Sequence, residues 1–396
     1  MPGSTLLSGL KVADLTSVLF GPYCTQTFAD MGADVVKIEP KSGDIFRYAG
    51  KPTNTRGMGP SHMTVNRGKR SVVWDMKSDE GKEATKRLIE QSDIFIHNIR
   101  QDAIERLGLT FEEVKAVKPD IVYVHCMGFG AEGPYAGNPA YDDLIQGLSG
   151  IASLSPIVLE DEQPRFIPMT IADKVSGLHA AYATLAAIIR RDRVGEAVKV
   201  DVPMLECTTH FLLEDHFNEA TFDPPTGAHG LKNQLDPARK PFKTKDGWIA
   251  INPYSDKGWV KVFATMNAEA ELEDERLNDK KARYYNYPYM AERINAHLAK
   301  EDTAYWLKAL NAADLPAAPV NTMADLKDDP HLAATHFFQR REHPTEGGYW
   351  EMQPPVRFPG VPEQSIEPAR HIGEDTESVL EELGLGRSIT SSSADA

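Results

Sequence analysis

A chain of 396 residues, 41% of them hydrophobic, can bury a large core, and its length points to two domains. A formal charge of −15 argues against nucleic acid or an anionic membrane as the main partner, so any anionic ligand must be held by a local basic cluster. Cys24, Cys126 and Cys207 are isolated, match no metal-ligand spacing and fit a reducing compartment. With no targeting pattern visible at the N-terminus, the expectation is a cytoplasmic protein without a metal centre.

In chain order, Leu10–Leu15 reads as a short buried strand. Gly21-Pro22 opens a helix to about Met31, and Asp34–Ile38 is a second strand, so the first 40 residues form one β-α-β unit. The pattern recurs with a strand at Ser71–Trp74, a helix at Ser78–Gln91 and a strand at Ile94–Ile96. Thr110 and Glu113 make a capping box for a helix through Val117, before another strand at Ile121–His125. This alternation predicts an α/β fold: a large Rossmann-like domain with a mostly parallel sheet. The turn after the first strand, T-S-V-L-F-G-P, carries one glycine where a dinucleotide fingerprint needs three, which argues against a nicotinamide cofactor.

Asn66-Arg67-Gly68-Lys69-Arg70 gathers three cations in five residues, and Asn98, Arg100 and Arg106 follow the strand at Ile94–Ile96. Such a run is either a solvated loop or a phosphate-binding patch. From Val175 to Ile189 there is no charged residue, and Val175, Leu178, Tyr182, Leu185 and Ile189 recur at helical spacing. The run of about 15 residues is shorter than the ~20 needed to cross a bilayer, so it predicts a core helix buried on most sides. Asp173 stands at the start of this helix. It is either an N-cap or a nucleophile, held ionised by the helix N-terminus.

Val198–Val202 is then a strand and Pro203–Phe217 a helix. Asp223–Lys240, rich in Pro, Gly and polar residues, reads as a linker or active-site loop. Phe242–Ile251 looks like a hairpin, helices follow to about Ala312, and together they predict a smaller α+β domain. The last residues, S-I-T-S-S-S-A-D-A, are polar and read as frayed.

Several stretches in fixed order resemble the family III CoA-transferases, whose relatives include α-methylacyl-CoA racemase. They are L-S-G-L-K-V-A-D-L-T from Leu7, G-P-Y-C-T-Q from Gly21, M-G-A-D-V-V-K-I-E-P from Met31 and N-R-G-K-R-S-V-V-W-D-M-K from Asn66. They continue as A-Y-D-D-L-I-Q-G-L-S-G from Ala140, A-D-K-V-S-G-L from Ala172 and H-I-G-E-D-T-E-S-V-L-E-E-L-G-L from His371. The resemblance implies that Asp173 is the nucleophile and that coenzyme A is bound by Val18, Leu19, Lys69, Arg70, Asn98 and Arg106. It further implies a homodimer of interlocked subunits. The implied layout is a large domain over 1–222, a small domain over 223–319, and a return segment over 320–396 completing the large domain.

The implied substrates are an acyl-CoA donor and a small carboxylate acceptor, with CoA thioester as substrate and no permanently bound cofactor. His229 and Gly230 correspond to a substrate loop, and Tyr141 is either a packed aromatic or a wall of the acyl pocket. In the racemase relative a base occupies the position of Tyr141, and tyrosine, with a pKa of ~10, accepts protons poorly at neutral pH. This favours CoA transfer, with racemisation or non-catalytic acyl-CoA binding as alternatives.

Overall fold

The computed structural model describes residues 5–362 and 365–386. The Ser/Thr-rich tail lies outside them. The chain divides into two compact units, one formed by Met1–Ala152, Phe166–Leu213 and His336–Ala396, the other by Ser153–Arg165 and Glu214–Thr335. The return to the first unit thus comes at His336, later than 320, and the second unit starts at Glu214 and takes in a detached piece at 153–165.

The first unit alternates β1 (Lys11–Leu15), α1 (Phe20–Asp30), β2 (Asp34–Glu39), α2 (Pro60–Val65), β3 (Lys69–Val73), α3 (Asp79–Glu90), β4 (Ile94–His97), α4 (Gln101–Leu107), α5 (Phe111–Val117) and β5 (Val122–Met127). After α6 (Asp142–Ser149), and α7 (Leu154–Leu159) of the second unit, come α8 (Ile171–Val194), β6 (Val198–Pro203) and α9 (Met204–His216). The six strands form one parallel sheet in the order β3-β2-β1-β4-β5-β6. Strand alternation sends Val12, Ile94 and Ile96 into the core under α1, α6 and α8. Their neighbours Ala13 and Phe95 enter the opposite core, under α3, α4 and α5. The capping box of α5 is present in full, with the Thr110 N–H donating to Glu113 at 2.9 Å.

In the second unit β7 (Phe242–Lys243), β8 (Trp248–Ile251) and β9 (Ala317–Pro319) make a three-stranded antiparallel sheet. It shares a core with α10 (Asp256–Thr265), α12 (Tyr287–Leu298) and α13 (Thr303–Ala312), built on Phe263, Ile294, Trp306 and Leu310, and α11 (Lys280–Tyr285) precedes α12. Short α14 (Pro330–Ala334) ends it. Back in the first unit, the hairpin β10 (Phe338–His343) and β11 (Gly347–Met352) precedes α15 (Thr376–Glu382), which packs Val379 and Leu380 into the sheet core.

The long helix differs from its sequence expectation. α8 buries Ala172, Asp173, Ser176, Gly177, Ala180, Ala181, Thr184 and Ala187, whereas Leu178, Tyr182 and Ile189 are exposed. Its small side chains, not its large ones, form the packing face, because α1 lies too close for anything larger. A Cβ on Gly177 would lie 2.9 Å from the Phe20 carbonyl oxygen and 3.0 Å from the Tyr23 ring. Among the described residues no helix is long and apolar enough to cross a membrane.

Candidate active site

The strand order reverses between β1 and β4, and in open parallel sheets the crevice at the carboxyl ends of such strands is where ligands bind. Two of the residues the resemblance assigns to coenzyme A meet there. Ser17, beside Val18, donates its N–H to Asn98 Oδ1 at 3.0 Å, and Asn98 Nδ2 returns a bond to the Ser17 carbonyl at 2.9 Å. The loop after β1 is thereby joined to the end of β4.

Val18 itself has φ of +67°, a left-handed conformation that a β-branched residue adopts only at a cost of order 1–3 kcal/mol. Its backbone N–H donates to both carboxylate oxygens of Asp44 at 3.1 Å. Asp44 is paired with Lys37 at 3.0 Å, and Lys37 also donates to the Thr16 carbonyl at 2.7 Å. Glu39 accepts the Asp44 N–H at 2.9 Å and pairs bidentately with Arg47 at 2.6–2.7 Å. Burial opposes the Glu39 charge, but the Arg47 hydrogen bonds and the Lys37 ammonium hold its carboxyl at about 2. This buried network fixes the turn that ends in Leu19, directly before α1.

On the β4 side, the Ile99 N–H donates to His97 Nδ1 at 3.3 Å, so the His97 Nε2–H faces the Tyr123 hydroxyl at 2.7 Å. The His125 ring stacks on His97 at 4.4 Å, and its Nε2 lies 3.1 Å from the Ile99 carbonyl. Burial holds both imidazoles below their ordinary range, His97 far below, so both are neutral braces for the loop that bears Asn98. Arg106, on α4, reaches Asp102 only at 3.9 Å, with both side chains largely exposed, an ion pair worth little. Its guanidinium is accessible to a ligand.

Lys69 and Arg70 stand apart from this edge. β3 begins at Lys69, two residues earlier than the sequence reading, so both cations lie at the amino end of the strand. The Lys69 ammonium is buried, donating to the Pro22 carbonyl and Asn66 Oδ1 at 2.9 Å with Asp14 at 3.6 Å, and burial lowers it to about 8 against the pull of Asp14. Arg70 is bidentate to Asp34 and bonded to Glu382. Both cations brace the fold. The first cation after the carboxyl end of β3 is Lys77, an exposed residue that the sequence reading did not single out.

Asp173 is the third residue of α8, with Thr170 at the N-cap. Its own N–H, one of the donors a helix start leaves unpaired, goes to Asp142 Oδ1 at 3.0 Å. Asp142 in turn accepts from Gln146 Nε2 at 2.7 Å, and Gln146 Oε1 accepts the Ile167 N–H at 2.8 Å. Asp142 thus performs the capping that the sequence offered to Asp173. The Asp173 side chain is 9% exposed, and among the described residues nothing donates a hydrogen bond to its carboxylate.

Burial pushes that carboxyl up to about 7, the Asp142 charge adds to the effect, and Lys174 opposes it. The expectation that the helix N-terminus keeps Asp173 ionised is corrected by magnitude. A rise from 3.8 to about 7 disfavours the charged form by about 4 kcal/mol, whereas a helix N-terminus supplies ~0.3–1 kcal/mol. Because Gly177, one turn on, touches Phe20, Asp173 lies near the start of α1 and so near the Val18–Leu19 turn.

Tyr141 is the N-cap residue of α6 and 65% exposed, next in sequence to Asp142. In the second unit, His229 packs on Phe217 with ring centroids 5.6 Å apart. Gly230 has φ of +104° and donates its N–H to the His216 carbonyl at 2.8 Å. His343, Glu346 and His371 converge closely enough to hold a cation, an arrangement that cysteine and histidine spacing did not reveal. The Thr345 hydroxyl occupies its middle, 2.8 Å from His371 Nε2 and 3.0 Å from Glu346 Oε1, and His343 Nε2 lies 3.0 Å from the Ala369 carbonyl. The cluster is therefore satisfied internally.

The Asp173 carboxyl binds its extra proton in the folded state between about pH 4 and about pH 7, so folding stability falls as pH rises through that window. Asp173→Asn, neutral throughout, is predicted to match the parent near pH 4 and to exceed it by up to about 4 kcal/mol above pH 7 in urea unfolding. A parent and variant that differ by the same amount at both pH values would contradict a raised Asp173.

Residues 7–376 match the model of the family described as CoA-transferase family III. The chain is 31% identical over 387 residues to the succinate–glutarate CoA-transferase of Agrobacterium fabrum, covering 95% of each chain. It is 30% identical over 401 residues to the formyl-CoA:oxalate CoA-transferase of Streptomyces coelicolor, covering 96% of each. Its fold is similar to that of a CAIB/BAIF family protein from Brucella suis, with a TM-score of 0.84 and 28% identity over 96% of this chain and 99% of that one. On the strength of this near end-to-end match, the chain belongs to the family III CoA-transferases.

Proposed function

We propose that the protein transfers coenzyme A from an acyl-CoA donor to a small carboxylate through covalent intermediates on Asp173. The observation that carries this reading is a buried carboxylate without a hydrogen-bond donor, near the carboxyl-edge turn of the sheet. A group with its pKa near 7 is substantially ionised at neutral pH yet more basic than an ordinary carboxylate, which suits a nucleophile.

In the first step an Asp173 oxygen attacks the thioester carbonyl, the C–S bond breaks, and CoA thiolate leaves a mixed anhydride. The thiolate attacks the aspartyl carbonyl and expels the donor acid, giving an aspartyl-CoA thioester. The acceptor carboxylate attacks this thioester, and the thiolate released then takes the acceptor acyl group, restoring Asp173. Relatives named for succinate, glutarate and oxalate support small dicarboxylates as donor and acceptor acids.

Val18, Leu19 and Asn98 are proposed to line the nucleotide crevice, with Arg106 and Lys77 for its phosphates. Lys69 and Arg70 are withdrawn from that role by their internal partners. Tyr141 remains a candidate for a wall of the acyl pocket, and His229 and Gly230, in the second unit, remain candidates for a substrate loop. A homodimer is proposed on the exposed apolar residues Leu144 and Leu148 of α6, Leu178, Tyr182 and Ile189 of α8 and Phe211 of α9, more than a monomer surface ordinarily leaves open. Sedimentation velocity is expected to give a dimer; a stable monomer at micromolar concentration would refute it.

Steady-state kinetics with succinyl-CoA and a panel of dicarboxylates test the central reading. Asp173→Ala is predicted to fold and to transfer nothing, and the parent rate to rise with pH to a plateau above an apparent pKa near 7. Arg106→Ala should raise KM for every acyl-CoA by a similar factor, roughly ten- to hundredfold if a charge-assisted phosphate bond is lost. Arg70→Ala should cost stability with little change in KM. Transfer by Asp173→Ala, or a KM effect confined to Arg70, would overturn these assignments.

A further inference from the structure

Ser176 is fully buried, and its hydroxyl has no hydrogen-bond partner. This is unusual for a helical hydroxyl, which ordinarily falls back on the carbonyl four residues earlier. On the same helix Thr184 does so, donating to the Ala180 carbonyl at 2.7 Å, and Thr208 of α9 back-bonds to the Met204 carbonyl in the same way. Ser176 leaves its donor unspent, although an unpaired buried hydroxyl costs ~1–3 kcal/mol.

The other buried group on this face without a partner is the Asp173 carboxylate, three residues earlier. Residues at this spacing are neighbours on a helix, with Cβ atoms ~5–6 Å apart, and side chains lean toward the N-terminus, so Ser176 leans toward the turn that bears Asp173. A donor with no acceptor and an acceptor with no donor thus sit one turn apart on the buried face of α8.

We propose that the Ser176 hydroxyl is the hydrogen-bond donor to the Asp173 carboxylate, turning to it when that group carries charge. Carrying its consequence to catalysis rests on the reading of Asp173 as nucleophile. The same hydroxyl then steadies the ionised nucleophile and the oxyanion that forms on the Asp173 carboxyl carbon when thiolate or acceptor attacks it. The charged groups that act on Asp173 are Asp142, from α6, and Lys174 of its own helix, while α1 presents the Tyr23 ring beside Gly177. None of these supplies a donor to the carboxylate among the described residues.

The test is stability against pH for the parent, Ser176→Ala, Asp173→Asn and the double variant, with transfer measured on the first two. In Ser176→Ala the pH midpoint of the Asp173-linked loss of stability is expected to move up by about one unit or more, and the double variant should track Asp173→Asn. Transfer should fall roughly ten- to hundredfold with KM for acyl-CoA little changed. Ser176→Cys, which keeps the volume and a weak donor, should lie between, and serves if the alanine variant folds poorly.

An unmoved midpoint in Ser176→Ala, or in Ser176→Cys should the alanine variant not fold, would overturn the proposal, even with Asp173→Ala inactive. A moved midpoint together with an Asp173→Ala enzyme that still transfers would keep the hydrogen bond and refute the function assigned to Asp173.

Discussion

The close approach of α8 to α1 is the constraint on which the site depends. Gly177 faces the Phe20 carbonyl at a distance that admits no side chain, and Ala172, Ser176, Ala180, Ala181, Thr184 and Ala187 continue a face of small residues. That face brings the second turn of α8 against the first turn of α1, and α1 begins where the strained Val18 turn ends. The Asp173 carboxylate on one helix and the turn before the other are thereby held within one compact unit. The large apolar side chains Leu178, Tyr182 and Ile189 of α8 are displaced to the outer, exposed face.

Around this arrangement the buried charges fall into two kinds. Asp14, Lys37, Glu39, Asp44, Arg47 and Lys69 lie beneath the turn and hold one another in ion pairs and hydrogen bonds. Burial works against the Asp14 charge, but Lys69, Lys37 and two threonine hydroxyls hold its carboxyl below the ordinary range. Asp173 is the counter-example, a buried carboxylate, somewhat less enclosed than these, with a carboxylate neighbour and no cation bonded to it. Pairing offsets the desolvation of the buried charges, whereas an unpaired carboxylate is costly and has its pKa pushed up. The same desolvation that lowers stability above neutral pH makes the carboxylate more basic than an ordinary one.

The alternation of elements was legible because each strand is a short apolar run and each helix has local signals, such as the Thr110–Glu113 box. Asp173 stood out through its setting before an uncharged helix, and its role through the family motif. Three features were not legible. The start of β3 at Lys69 could not be seen because Lys and Arg are poor strand signals, and the distant partners that occupy both cations leave no local mark. The 3.6-residue period of α8 correctly marked a helix but not which face is buried, since a neighbour at backbone distance selects small residues over large ones. Asp142 as the true cap of α8 is a contact between residues 31 apart, for which a local reading has no signal.

The account turns on whether the Asp173 carboxyl becomes acylated. Incubating the enzyme with succinyl-CoA and no acceptor, quenching with hydroxylamine and digesting with trypsin should release Phe166–Lys174, whose only side-chain carboxylate is Asp173. The account predicts a hydroxamate on that residue, detected by mass spectrometry and absent when donor is omitted. An unmodified Phe166–Lys174 peptide from a preparation that demonstrably transfers coenzyme A would contradict it.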